Sequence, residues 1–270
     1  MGSTVIEFAH IKRKAKSLDM IGKITTSANT YEYSFSNTIS IGIVILAKDL
    51  PKSHRFYDEN LIYIWEAVAS GGQSFGDGVS NVCGSRQTTT IGEACCLPPM
   101  GPEIIEHDPS YGFNGVQLRD LDKILENSVK VGEFFSEIGC QEKNYELFWA
   151  SLSKNDHPLT RPQGKLDKHE FGEALAEMIE TYNGRPYDKS FCCVNLLASI
   201  FSCFRSCRYA VNFGDHQNQL FCSELAAMIY RDFGILNSSV RPENVVPMDF
   251  FGFDKDGEVV MEWDEVRRFE

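Results

Sequence analysis

The first quarter of the chain contains three short apolar segments that are typical of β-strands. Residues 20–26 form a short segment, and residues 38–47 (TISIGIVILA) are apolar at most positions, as expected of a strand buried on both faces. Residues 60–69 (NLIYIWEAVA) are rich in β-branched and aromatic side chains. The charged connection between the last two segments contains Pro51, which predicts a loop or a hairpin.

The second half of the chain shows the three- and four-residue apolar spacing of amphipathic helices. We expect helices over residues 118–127, 145–151, 167–182, 191–204 and 222–233. The third of these should end at Asn183-Gly184 and the last at Gly234, because glycine readily adopts the left-handed conformation that closes a helix. Strands are predicted on both sides of a hairpin turn at residues 254–257 (DKDG).

Residues 70–114 differ from both halves, because eight glycines and four prolines interrupt them. Long irregular segments are uncommon inside compact domains, so this stretch is either a functional loop or an elaboration over a site. Its glycines do not have the spacing of a nucleotide-binding loop. We therefore predict one domain over residues 1–270, with a glycine-rich and helical elaboration at residues 70–165.

Composition limits the classes of partner. The 26 basic and 38 acidic side chains give a net charge of −12, which argues against nucleic-acid binding, because neutralising phosphates requires a basic surface. We predict no signal peptide and no membrane span, since no apolar run reaches the roughly 18 residues that a span requires. Nine cysteines without any CxxC pair favour reduced thiols in a cytoplasmic compartment, and we expect neither a metal site nor another cofactor.

A cysteine at the start of a predicted helix is the sharpest chemical feature of the sequence. In residues 221–236 (FCSELAAMIYRDFGIL), Cys222 opens the helix and Ser223 and Glu224 follow it. The N–H groups and the dipole at a helix N-terminus would stabilise a thiolate there. Cys222 is therefore either a nucleophile or an inert cysteine packed at a helix start.

Together with the strands that precede it, this segment resembles the permuted papain-fold family. That family comprises the YaeF/YiiX-type cysteine hydrolases, which are related to the NlpC/P60 amidases and the lecithin:retinol acyltransferases. The matching pieces stand in the family's order between about residues 18 and 250: LDMIGKI, SIGIVI, IWEAV, YNGRPYD and FCSEL. The resemblance implies an α+β fold, namely a circularly permuted papain-like fold in which a small antiparallel barrel packs on helices.

The resemblance finds matching residues at two of the family's three catalytic positions and a different residue at the third. It places Cys222 at the family's nucleophile and Glu66 of IWEAV at the acid that orients the base. The base is normally a histidine in a motif like SHVGI, and Ser40 stands at that position here. A serine hydroxyl can neither accept the thiol proton nor protonate the leaving group at neutral pH.

Three other histidines are candidates for the missing base. His216 lies six residues before Cys222, His54 follows the SIGIVI segment, and His107 lies in the glycine-rich stretch. The favoured interpretation of each is a histidine exposed in a loop.

We therefore expect a catalytically impaired protein that keeps the cleft and acts as a binding or structural subunit, either in a protein assembly or with a peptide or lipid ligand. The alternative is an active thiol amidase, peptidase or lipid acyltransferase that uses Cys222, Glu66 and a non-standard base. A third possibility is a redox-sensing thiol at Cys222 that a nearby cysteine resolves.

Overall fold

The computed structural model describes residues 12–25, 38–68, 115–123, 145–186, 220–251 and 261–269. The strands in this part of the chain are β1 (Met20–Thr25), β2 (Thr38–Leu46), β3 (Ile62–Val68), β4 (Gly115–Asp120), β5 (Tyr145–Leu152) and β6 (Trp263–Phe269). The α-helices there are α1 (Lys168–Tyr182) and α2 (Cys222–Asp232). Short 3-10 turns follow β2 at Ala47–Asp49 and follow α2 at Pro242–Asn244 and Pro247–Phe251.

The six described strands form one antiparallel sheet in the order β4-β3-β2-β1-β5-β6. The expected α+β class is therefore confirmed. The expected closed barrel is not found among the described strands, because β4 and β6 lie at opposite ends of the sheet.

Strands β1, β2 and β3 confirm the three segments predicted from the apolar pattern. The register places Met20 of β1 opposite Ile43 of β2, and Ile43 opposite Trp65 of β3. Residues directly opposite one another share a face of the sheet, so these three side chains point to the same side. The predicted connection between β2 and β3 is also confirmed, and it begins with the 3-10 turn Ala47–Asp49.

Two predicted helices are wrong. Residues 145–151 lie in β5, and residues 118–120 lie in β4, which is followed by one helical turn at residues 121–123. Residues 70–165 thus contribute two strands to the sheet. The predicted helix over residues 191–204, the turn at residues 254–257 and the glycine-rich residues 70–114 lie outside the described residues.

The sheet separates two apolar cores. The larger core contains Ile43 and Trp65 of the sheet and receives Leu175 of α1 and Ile229 of α2. The smaller core lies on the other face and is built around Trp149 of β5. Burial on both faces explains why β2 and β5 are apolar at consecutive positions rather than alternately.

Both helices have well-defined ends. The Asp167 carboxylate accepts hydrogen bonds from the N–H groups of His169 and Glu170 at the start of α1, and the Glu170 carboxylate accepts one from the Asp167 N–H. This reciprocal pair is a capping box. Gly184 after α1 has φ +88° and Gly234 after α2 has φ +67°, which confirms the two predicted helix ends.

Candidate functional site

Cys222 is the first residue of α2, as expected, and it lies partly buried against the larger core. Its sulfur is not part of a disulfide bond. Helix α2 packs against β2 and β3, the two strands to which Ser40 and Glu66 belong. The helix that begins with Cys222 thus packs on the two strands that contain the other predicted site residues.

The start of α2 is fixed by two polar contacts. The Glu224 carboxylate accepts a hydrogen bond of 3.4 Å from the Phe221 N–H, which satisfies one amide at the helix N-terminus. The Ser223 hydroxyl is fully buried and donates to the Val245 carbonyl at 2.7 Å. The second contact ties the start of α2 to Val245, which directly follows the 3-10 turn Pro242–Asn244.

Glu66 lies in a buried ion pair. Its Oε1 is 2.8 Å from Nη1 of Arg119, and the side chains of Glu66 and Arg119 are only 1% and 5% exposed. The two residues belong to neighbouring strands, where Glu66 stands opposite Gln117. Arg119, which no sequence pattern marks as a site residue, provides the cation for the Glu66 carboxylate.

The ion pair lies on the sheet face that points away from α2. Trp65 and Ala67, the neighbours of Glu66 in β3, both belong to the larger core that α2 joins. Side chains alternate along a strand, so Glu66 points to the opposite face, where Ile64 belongs to the smaller core. The carboxylate is thus directed towards Arg119 and the smaller core rather than towards the helix that begins at Cys222.

Ser40 lies near the start of β2, where its backbone stands opposite Lys23 of β1. The register between β1 and β2 shifts immediately beyond this pair. A bulge of this kind locally redirects a strand.

Among the candidate bases, His54 lies against α1. Its Nε2 is 3.3 Å from Oε1 of Glu180, and its Nδ1 accepts a hydrogen bond of 3.3 Å from the Phe56 N–H. The structure thus places a carboxylate beside one ring nitrogen of His54 and a backbone donor beside the other. His107 and His216 lie outside the described residues.

A second group of buried polar residues was not identified from the sequence. Asp19 is fully buried at the start of β1, and His157, which follows β5, is only 3% exposed. Burial raises the pKa of Asp19 to about 6 and lowers the pKa of His157. The available signal for Asp19 was its position between Leu18 and Met20, since a carboxylate inside an apolar segment must find buried donors.

No family model, curated protein or solved structure matches the chain. Across the described ranges, no group of three or more histidine, cysteine, aspartate or glutamate side chains is arranged to hold a metal ion. The helices described above are too short or too polar to cross a bilayer.

Proposed function

We propose that this chain is a catalytically impaired protein with a circularly permuted papain-like fold, in which the cleft beside Cys222 serves a binding or structural role. The occupant of the cleft would be a peptide or lipid ligand, or another subunit of an assembly. The observation that carries the proposal is the buried ion pair between Glu66 and Arg119. It pairs the acid of the expected site with a cation on the sheet face that points away from α2, where the carboxylate is not placed to orient a base beside Cys222.

The order and packing of the elements support the papain-like part of the proposal. Strand β2 contains the SIGIVI segment, β3 contains Glu66, and α2 begins with Cys222 and packs on both strands. This order of elements is compatible with the family resemblance, although Glu66 itself points away from α2.

The loss of activity is proposed on chemical grounds. An ordinary thiol is only a few per cent ionised at neutral pH, so a cysteine nucleophile needs a base to form the thiolate and an acid to protonate the leaving group. Ser40 supplies neither function. Removing the base from such a unit lowers the rate by several orders of magnitude.

The proposal is tested by the rate of Cys222 alkylation as a function of pH, followed by mass spectrometry of the peptide that contains this residue. Three forms of the full chain are compared: wild type, Ser40→His and Ser40→Asn. The asparagine variant controls for side-chain size, because it fills similar space without supplying a base. We expect slow alkylation of wild type at pH 7 and an increase of about tenfold in Ser40→His alone, since pairing with histidine raises the thiolate fraction.

Two results would count against the proposal. Rapid alkylation of wild-type Cys222 at pH 6 would show that another group already activates the thiol, and it would favour the active hydrolase or acyltransferase. Equal rates in all three forms would show that Ser40 does not occupy the position of a base beside Cys222.

A further inference from the structure

The two end strands of the sheet differ in what lies along their outer edges. On β4, the Val116 N–H donates to the Arg185 carbonyl at 2.8 Å, and the Gly184 N–H donates to the Val116 carbonyl at 2.7 Å. Residues 184–186 therefore run along part of that edge. On β6, all strand pairing within the described ranges is with β5 on the inner side. An edge strand offers its outward N–H and C=O groups to any strand that can pair with it.

The side chains of β6 follow a charge order that is its own complement. The strand reads WDEVRRF, with Asp264 and Glu265 before Val266 and Arg267 and Arg268 after it. Reversing the strand about Val266 exchanges every acidic position for a basic one. Val266 itself is 39% exposed, and in the part of the chain that the structure describes it is the only large apolar side chain that is exposed. A single exposed valine is common on protein surfaces, so the charges must identify what it faces.

Symmetry limits how two copies of β6 can pair. Directly opposed residues point to the same face of a sheet, whereas neighbours along one strand point to opposite faces. A twofold axis between two antiparallel copies must therefore pass between one residue and its own copy. A register centred on any of the four charged residues sets like charges directly opposite, which is destabilising. A register centred on Val266 instead sets Glu265 of each copy opposite Arg267 of the other.

The two central charges already lie together on one face of the strand. Nε of Arg267 is 3.2 Å from Oε1 of Glu265, and the two side chains are 43% and 32% exposed. Nζ of Lys14 is 3.1 Å from Oε2 of the same glutamate. In the register centred on Val266, each Glu265 carboxylate would lie between its own Arg267 and that of the second copy. Opposite charges would then alternate both along and across the two strands.

The centre of β6 is also regular. Residues from Glu265 to Phe269 stand opposite consecutive residues of β5, and the register shifts between the pairs that contain Glu265 and Trp263. A bulge hinders pairing at an edge. This one lies outside residues 265–267, so it leaves the three central positions in regular strand geometry.

We propose that β6 is an interface for a second copy of this chain, in which two β6 strands pair antiparallel about a twofold axis at Val266. The contact involves none of Cys222, Ser40 and Glu66, so it stands independently of the proposed function. One pair of edge strands buries a small area, and each copy carries a net charge of −12 that repels the other. We therefore expect a weak dimer that forms at high concentration, with the monomer prevailing in dilute solution.

The test is sedimentation of the full chain from about 1 to about 300 μM, the range in which weak interfaces dissociate. Glu265→Arg and Arg267→Glu are examined separately and as an equal mixture. Each variant alone sets two pairs of like charges opposite one another in its homodimer. In the mixture, the heterodimer sets two arginines opposite two glutamates. Glu173→Arg and Lys52→Glu make the same changes of charge at exposed positions away from β6 and serve as matched controls.

Wild type and both controls should dimerise as the concentration rises. Each β6 variant alone should associate at least about tenfold more weakly, because two cross-strand pairs change from attractive to repulsive. The equal mixture should recover association to within about threefold of wild type. Circular dichroism checks that every form is folded.

A wild type that stays monomeric over the whole range would overturn the proposal, and a strand of a different protein would then be the occupant to seek. Single variants that dimerise like wild type, or a mixture that associates no better than its components, would overturn it as well. If the variants fail to fold, hydrogen exchange of wild type at low and high concentration decides the matter. Protection of β6 should rise at least about tenfold at high concentration while that of β4 stays constant. Protection of β6 that does not depend on concentration would contradict pairing with a second copy.

Discussion

At the scale of single residues, the ion pair of Glu66 and Arg119 is the feature whose removal should be most costly. Both side chains are almost completely buried, at 1% and 5% exposed. Arg119→Met would leave the Glu66 carboxylate in an apolar setting without this cation, which costs about 3–5 kcal/mol in the free energy of unfolding. Urea unfolding at pH 7 measures this loss.

The double variant Glu66→Leu/Arg119→Met distinguishes a lost charge partner from lost packing. Replacing both members of a buried ion pair with apolar residues is often neutral, so the double variant should be more stable than Arg119→Met alone. A double variant less stable than the single one would show that the Glu66 carboxylate has stabilising partners that outweigh its burial.

Residue-scale chemistry was predictable only where it followed a local pattern. Cys222 could be placed at a helix start because the apolar spacing of residues 222–233 defines that helix. The partners of Glu66 and Asp19 could not be predicted. Arg119 is 53 residues from Glu66 along the chain, and Trp149 is 130 residues from Asp19. Such pairs depend on strand register, which a single sequence does not specify.

At the scale of elements, Gly172 shows how closely α1 approaches the turn after β2. A Cβ atom added to Gly172 would lie 2.5 Å from the backbone oxygen of Asp49. Glycine inside a helix normally costs about 1 kcal/mol relative to alanine, so its presence here needs a packing reason. The close approach of the Asp49 carbonyl is that reason.

Gly172→Ala should therefore destabilise the protein by about 1–3 kcal/mol, despite the better helix propensity of alanine, because α1 must move away from the turn. Thermal and urea unfolding measure the change, with Glu173→Ala at an exposed position of the same helix as the matched control. An increase in stability for Gly172→Ala would contradict the close approach of α1 and the turn.

Elements were predictable where the apolar pattern had one physical cause. Three strands and two helices were predicted correctly because the spacing of their apolar residues fits one of the two structures, strand or helix, better than the other. These elements are β1, β2, β3, α1 and α2. In β5 the consecutive residues Phe148, Trp149 and Ala150 are all buried, since Trp149 belongs to one core and its neighbours to the other. A run that is apolar at every position fits a buried helix equally well, which is why this strand was predicted as a helix.

At the scale of the whole molecule, the described sheet has a protected centre and two outer strands. Strands β1 and β2 are hydrogen-bonded on both sides, whereas β4 and β6 are the end strands of the described order. Both faces of the central strands also belong to apolar cores, because Ile43 and Val44 of β2 lie in different cores. Opening the sheet at its centre therefore exposes both cores at once.

Hydrogen exchange should consequently be slowest in β1 and β2 and faster in β6. Amides that open only with global unfolding exchange most slowly, and those in an end strand can open by local fraying. Exchange followed by mass spectrometry at pH 7 would give protection in β1 and β2 close to the free energy of unfolding, with β6 at least tenfold faster. Equal protection in β6 would mean that another part of the chain covers this strand. In that case the sheet would continue beyond β6, as the barrel expected from the family resemblance requires.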